Sequence, residues 1–233
     1  MRRIVVALVA SGAAAGVLAG SAGATSECRG LQICVPVAGP WVVVPTGSSV
    51  PRPSVAYQLS CPRGYIVGGL DAELSTPGID LKFDATLGSP VNPGISTSRA
   101  AFFVGSLVSG SARAPTFRPH IGCIPSAGGG RRVPTALGVY PVGRPSTVRA
   151  KDVRVGPGTA RVVQACRAGE TLVGASHAVG FYTVDPPAAA LVQSVSVSRS
   201  TNRRAVVVDV RAGARAAGAR AVVQVAAVCA GGS

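Results

Sequence analysis

The sequence has few of the side chains on which catalysis and nucleic-acid binding usually depend. It contains only two histidines, one tryptophan, four tyrosines and five phenylalanines, and no aromatic residue follows Tyr182. Proteins that bind single-stranded nucleic acid stack bases on aromatic side chains, so this scarcity argues against nucleic acid as a partner. The sequence also lacks Cys-x-x-Cys spacing and glycine-rich nucleotide-binding motifs. It therefore predicts no metal or nucleotide cofactor.

A long apolar run occurs only at the start of the chain. Residues 1–24 combine a basic start, an apolar stretch and a small-residue ending, Ala22-Gly23-Ala24. This pattern is typical of a cleaved signal peptide; the alternative is an N-terminal membrane anchor. No later run is long enough to span a bilayer, so we expect no transmembrane segment in a mature chain beginning at Thr25. The predicted location is secreted or associated with the cell envelope.

The six cysteines form an even set, and in an exported protein disulfides are expected. Fifteen connectivities are possible. Two pairs of cysteines, separated by 62 and 63 positions, bracket segments that resemble each other. Pairing within each bracket is favoured, and it leaves the two N-terminal cysteines for each other. The predicted disulfides are Cys28–Cys34, Cys61–Cys123 and Cys166–Cys229.

Short alternating apolar and polar stretches predict an all-β protein. Eighteen prolines and thirty glycines interrupt these stretches and disfavour long helices. The repeated bracket predicts two tandem, disulfide-containing β-sandwich-like modules. The predicted boundaries are a signal peptide at 1–24, a first module at 25–126, a Gly/Arg-rich linker at 127–134 and a second module at 135–233. One pseudo-symmetric domain with a shared core is the alternative.

The cysteine brackets also carry a resemblance. Cys61-Pro62-Arg63-Gly64, Val67-Gly68-Gly69 and Val228-Cys229-Ala230 resemble the Cys-bracketed β modules of exported bacterial proteins, which open with C-P-x-G and end with V-C-A. The second module lacks the proline, and the first ends in Gly122-Cys123-Ile124. The resemblance implies no catalytic residue.

Positive charge is concentrated in the second half of the chain. Residues 25–128 contain seven basic and five acidic residues, whereas residues 129–233 contain fourteen and four. Such a surface favours an anionic partner, here a wall polymer or a lipid surface. GC-rich coding, which favours arginine, is the alternative explanation. The candidate binding residues are Arg203, Arg204, Arg211, Arg215 and Arg220, which form one patch if the chain brings them to the same end of the module.

Few residues offer catalytic chemistry. Ser176 and His177 stand in a near match to the nucleophile-elbow motif, but adjacent residues of a strand point to opposite faces. Asp80 and Asp84 share a predicted strand face with Lys82, which favours a solvated mixed-charge face over a calcium or acid–base site. His120 and His177 lack metal-ligand neighbours. We therefore predict a secreted, non-enzymatic binding protein; the alternatives are a hydrolase of unfamiliar type and a structural envelope component.

Overall fold

The structure, a computed structural model, describes residues 25–84, 99–110, 113–126 and 146–231. The predicted signal peptide and linker lie outside these ranges. The described chain is nearly all β, as the sequence predicts. The strands of the first half are β1 (Val35–Ala38), β2 (Trp41–Val43), β3 (Ser54–Ser60), β4 (Tyr65–Leu74), β5 (Ile79–Asp84), β6 (Ala100–Leu107) and β7 (Thr116–Pro125). The strands of the second half are β8 (Ser146–Arg154), β9 (Gly158–Ala165), β10 (Thr171–Phe181), β11 (Val195–Thr201), β12 (Ala205–Ala212) and β13 (Ala221–Ala230).

One seven-stranded sheet, here called the central sheet, contains strands from both halves. Its order is β1-β7-β2-β10-β13-β8, and β4 also pairs with β7. The short strand β2 connects the halves because it pairs with β7 through Val42 and Phe117 and with β10 through Val42 and Gly180. All of these pairings are antiparallel. The two halves therefore share a backbone hydrogen-bonded sheet.

Two three-stranded sheets cover the central sheet and create two cores. The first outer sheet has the order β3-β6-β5, and the second has the order β11-β12-β9. Alternation along β2 sends Val42 into the core under the first outer sheet, while Val43 packs against the core under the second. On β10, Ala178 belongs to the first core and Phe181 to the second. The outer sheets therefore pack on opposite faces of the central sheet.

The two halves follow the same strand order. In each half, a three-stranded outer sheet accompanies a three-strand group of the central sheet, β4-β7-β1 in the first and β10-β13-β8 in the second. Gly64 and Gly169, each three residues after a bracketing cysteine, both have φ of 83°, a left-handed conformation that favours glycine. The first strand after each of these glycines has a bulge at the same distance from its cysteine, at Gly68 and at Val173.

All three predicted disulfides are confirmed. Cys61–Cys123 and Cys166–Cys229 are buried in the first and second cores, whereas Cys28 and Cys34 are partly exposed. Three disulfides indicate an oxidising, extracytoplasmic environment. Within the described residues, none of the helices has the length and apolar character needed to cross a bilayer.

Two local predictions differ from the structure. The alternating run from Leu191 to Val197 predicts a strand, but Ala189–Val192 forms a helical turn before β11 begins. Three consecutive alanines after Pro186-Pro187 favour this turn, since alanine is the best helix former. Residues Ala214–Ala219 form a 3₁₀ helix, although Gly213 and Gly218 predict a loop. Ala216 and Ala219 pack into the second core and stabilise that turn.

Candidate functional site

The five predicted arginines fall at two ends of one strand. Arg203 and Arg204 lie in the turn before β12, and Arg215 and Arg220 follow its other end. An eight-residue strand spans about 24 Å, so the two groups do not form one continuous patch. Arg211 lies near the end of β12, with its side chain exposed on the outer surface of the second outer sheet.

The first group lies beside the buried disulfide of the second half. The carbonyl of Arg204 accepts a hydrogen bond from Cys166 N at 2.8 Å, and the carbonyl of Arg203 accepts one from Leu172 N at 2.9 Å. Exposed Arg167 follows Cys166 directly and was not predicted. We call Arg167, Arg203 and Arg204 the disulfide-end arginines. Their backbones are fixed by the disulfide turn, while their side chains are exposed.

The second group lies at the opposite end of the same half. Arg220 has a positive φ of 45° and places its guanidinium carbon 5.5 Å from the centroid of the Tyr182 ring, a cation–π contact. Arg154 ends β8 opposite Val222, and it is exposed, as is Arg215. We call Arg154, Arg215 and Arg220 the far-end arginines.

Between these ends, the outer surface of the second outer sheet carries two rows of polar side chains. The backbone register aligns Ser196, Arg211 and Thr159 in one row and Ser198, Asp209 and Arg161 in the next. The alternate residues of the same strands, such as Val208 and Val210, are buried in the second core. We call the surface formed by these six polar residues the serine–arginine face: Thr159, Arg161, Ser196, Ser198, Asp209 and Arg211.

The serine–arginine face lines an open depression of about 730 Å³. Arg161 Nε lies 3.7 Å from Asp209 Oδ1, and both side chains are more than half exposed. An exposed pair at this distance contributes little to stability, so both groups can still bind a ligand. The depression thus offers two guanidinium groups, one carboxylate and three hydroxyls.

The corresponding surface of the first outer sheet is different. Its register aligns Asp80, Ser106 and Ser54 in one row, and Lys82, Val104 and Ala56 in the next. It therefore has no arginine in these rows and a smaller capacity to bind anions. Asp80 and Lys82 are exposed on the edge strand β5, in agreement with the predicted mixed-charge face. The side chain of Asp84 lies outside the described part of the structure.

The two histidines occupy unrelated settings. His177 lies on the β10 face that carries Ala175 and Val179, which pack against the second core, whereas Ser176 faces the other side with Ala178. Burial, together with the nearby Arg199 guanidinium, lowers the pKa of His177. Among the described residues His177 Nδ1 has no hydrogen-bond partner. The structure therefore does not assemble a Ser176–His177 dyad.

A partly buried cluster of ionisable side chains in the first half was not predicted from the sequence. His120 lies with Nε2 2.9 Å from Glu73 Oε1 and Nδ1 3.9 Å from Glu27 Oε1, and both His120 and Glu27 are buried. Within the described ranges, neither His120 Nε2 nor Glu27 Oε2 makes a hydrogen bond. These residues come from three separate segments, so no local spacing marks them.

Contacts beside this cluster hold the N-terminal disulfide loop on the central sheet. Ser26 donates hydrogen bonds from its backbone N and its hydroxyl to Asp71 Oδ2, at 2.6 and 3.1 Å. Burial alone would raise the pKa of Asp71, but these bonds and one from Ala72 N lower it. The Glu27 carbonyl packs directly on Gly69 and Gly122, where any larger residue would clash. The arrangement anchors the loop.

In the described residues, the only group of potential metal ligands is Cys166, Glu170 and Cys229. Both cysteines are in a disulfide, so their sulfurs are not thiolate ligands. Glu170 accepts hydrogen bonds from the Arg149 side chain and from Arg167 N, and these bonds lower its pKa. The ion pair of Glu170 with Arg149 therefore connects the disulfide turn to β8.

The features that carry the sequence resemblance have clear structural roles. Gly64 adopts the left-handed turn after the disulfide, and Gly68 and Gly69 accommodate the bulge and the Glu27 carbonyl. None of these roles identifies a ligand. Comparison of the chain with models of known protein families, with curated proteins and with solved structures found no match.

Proposed function

We propose that this chain is an exported, non-enzymatic protein that binds anionic polymer of the cell envelope through the basic surface of its second half. The observation that carries the proposal is the exposure of that charge. Of the basic residues between 146 and 231, only Arg149 is not exposed. Three of the four acidic residues of this segment already contact partners, Asp152 with Gln224, Glu170 with Arg149 and Asp209 with Arg161.

Export by residues 1–24 as a signal peptide fits the disulfides and is part of the proposal. The shared strand order, bulges and left-handed glycines further support an internal duplication in which only the second copy acquired the basic surface. Among the contacts of the described residues, neither histidine has both a nucleophile and an orienting partner, which favours binding over catalysis. The scarcity of aromatic side chains disfavours nucleic acid.

The proposal is tested with the mature, disulfide-bonded chain on anionic wall polymer. Replacing Arg203, Arg204, Arg211, Arg215 and Arg220 with serine should abolish retention, and raising the salt concentration should do the same to the wild type. The Debye length falls from about 10 Å at 0.1 M salt to about 3 Å at 1 M. The matched control replaces five exposed basic residues of the first half, Arg29, Arg52, Arg63, Lys82 and Arg113, and should retain binding.

Equal loss in both variants would show that net charge alone, and not the second half, is responsible. Binding that does not respond to salt would also contradict the proposal.

A further inference from the structure

The serine–arginine face has a composition that net charge does not explain. Its two rows cross three strands, so the six side chains extend over about 10 Å across the sheet. Asp209 lies in the middle strand, β12. It pairs with Arg161 on β9, and Arg211 lies two residues further along β12 on the same face. A surface that attracted anions by charge alone would bind them better without this carboxylate.

The carboxylate becomes useful when the ligand also carries hydroxyl groups. A carboxylate accepts hydrogen bonds from hydroxyls, and guanidinium groups donate paired hydrogen bonds to carboxylate or phosphate. The hydroxyls of Ser196, Ser198 and Thr159 both donate and accept. The polar groups of the serine–arginine face therefore match a ligand in which anionic groups alternate with hydroxyls.

Resting on the function proposed above, we propose that the serine–arginine face is the polymer-binding site and that its ligand is an extended polyhydroxylated chain bearing anionic groups. The open depression of about 730 Å³ admits a chain lying along the sheet. A lipid surface whose head groups carry no hydroxyls would place its phosphates near Asp209 without supplying hydrogen-bond donors to this carboxylate.

The first arm of the test compares ligands on the mature protein by equilibrium binding at fixed salt. Polygalacturonate supplies carboxylates with hydroxyls, and poly(glycerol phosphate) supplies phosphates on a polyol backbone. Polyphosphate is anionic without hydroxyls, dextran is hydroxylated without charge, and phosphatidic acid in phosphatidylcholine vesicles presents a lipid phosphate without head-group hydroxyls. We expect one or both hydroxylated polyanions to bind more tightly than polyphosphate or vesicles, and dextran not to bind; the stronger of the two identifies the anionic group.

The second arm compares matched variants. Arg161→Gln with Arg211→Gln should weaken binding of the hydroxylated polyanion by about tenfold or more, as expected for losing charge-assisted hydrogen bonds. Arg203→Gln with Arg204→Gln removes the same charge at the disulfide end and should have a much smaller effect. All four side chains are exposed, so circular dichroism and thermal melting should be unchanged.

Asp209→Ala separates the two explanations most sharply. If Asp209 binds ligand hydroxyls, this variant weakens the hydroxylated polyanion while strengthening polyphosphate. If binding follows charge alone, the variant strengthens both, and the assignment of this site is wrong. Equal losses in the two arginine pairs would also overturn the site while leaving the proposed function intact, whereas no binding of any polyanion by the wild type would overturn both.

Discussion

The environment of His177 makes the stability of the protein depend on pH. His177 is half-buried on the face of the central sheet that carries the second core, and burial and Arg199 lower its pKa. In the unfolded chain a histidine has a pKa near 6.5, so the unfolded state binds the proton first as the pH falls. The contribution of neutral His177 to stability is therefore fully present above about pH 6.5 and is lost at lower pH.

We predict that replacing His177 with glutamine flattens this part of the stability profile. Urea unfolding at about pH 7.5, 6.5 and 5.5 measures it. The neighbouring Ser176→Ala variant does not titrate and should keep the wild-type slope. Identical slopes for His177→Gln and the wild type would contradict the prediction.

Gln224 connects the two halves by side-chain hydrogen bonds. Its buried side-chain amide accepts from Gln58 N at 2.6 Å and donates to Gln58 O at 2.8 Å and to Asp152 Oδ1 at 2.8 Å. It satisfies the free backbone edge of β3 as a neighbouring strand would. Tyr57 OH also donates to Asp152, and burial and this carboxylate raise the pKa of Tyr57.

We predict that Gln224→Ala lowers the free energy of unfolding by about 2–4 kcal/mol, because it leaves the Gln58 N–H and C=O unpaired in a partly buried position. Chemical denaturation measures the change. Exposed Gln193 provides the control, and Gln193→Ala should change stability by less than about 0.5 kcal/mol. Similar values for the two variants would show that water replaces the amide without cost.

At the scale of elements, the N-terminal disulfide loop differs from the rest of the chain. It lies on the β4–β7 face, held by Ser26 on Asp71 and by Glu27 beside His120. Its disulfide is partly exposed, while the other two are buried. Thiol–disulfide exchange requires access of a thiolate to the sulfur.

We therefore predict that a mild reductant opens Cys28–Cys34 first. Timed alkylation followed by peptide mapping should label Cys28 and Cys34 before any other cysteine. Circular dichroism should remain near that of the native protein at this stage, because the two cores keep their disulfides. Simultaneous labelling of all six cysteines would contradict this order.

The strands and disulfides could be predicted because they leave local signals. Alternation identifies β5 and β11, and the repeated spacing after Cys61 and Cys166 identifies the matching turns. The helical turn at Ala189–Val192 was missed because its apolar residues continue the alternation of β11. The five arginines do not form the single patch considered from the sequence. They are close in sequence, but β12 places Arg203 and Arg204 at one end of the second half and Arg215 and Arg220 at the other.

The candidate site depends on pairings that the sequence does not encode locally. Arg161 meets Asp209 only because β9 pairs with β12, and Ser198 joins them through β11. The cluster of Glu27, Glu73 and His120 likewise requires an N-terminal loop to fold onto a distant strand pair. Period-two patterns show which residues are exposed, but they do not show which strands are neighbours.

At the scale of the whole molecule, several contacts among the described residues join the two halves. β2 pairs with strands of both halves, Gln224 binds the edge of β3, and Val42 and Val43 enter different cores. Opening one half therefore exposes polar and apolar groups of the other. Backbone pairing between the halves favours cooperative unfolding of the described residues.

Trp41 lies at the contact between the two halves. It is the only tryptophan in the chain, it lies in β2 opposite Phe181, and its Nε1 donates to the carbonyl of Val184. The side chain is 3% exposed. Its fluorescence therefore reports the contact between the halves, whereas far-ultraviolet circular dichroism reports the strands of both.

We predict that the two signals follow one transition in denaturant, with the same midpoint and slope, since coincident probes are the test of two-state unfolding. Intact disulfides are kept during the experiment, so that reduction does not add a second process. In the Gln224→Ala variant the midpoint should move to lower denaturant. If the contact between the halves opens before the two cores unfold, the fluorescence change of this variant should precede its circular dichroism change. Early fluorescence change in the wild type, with most β signal retained, would show that the halves fold independently despite their shared sheet.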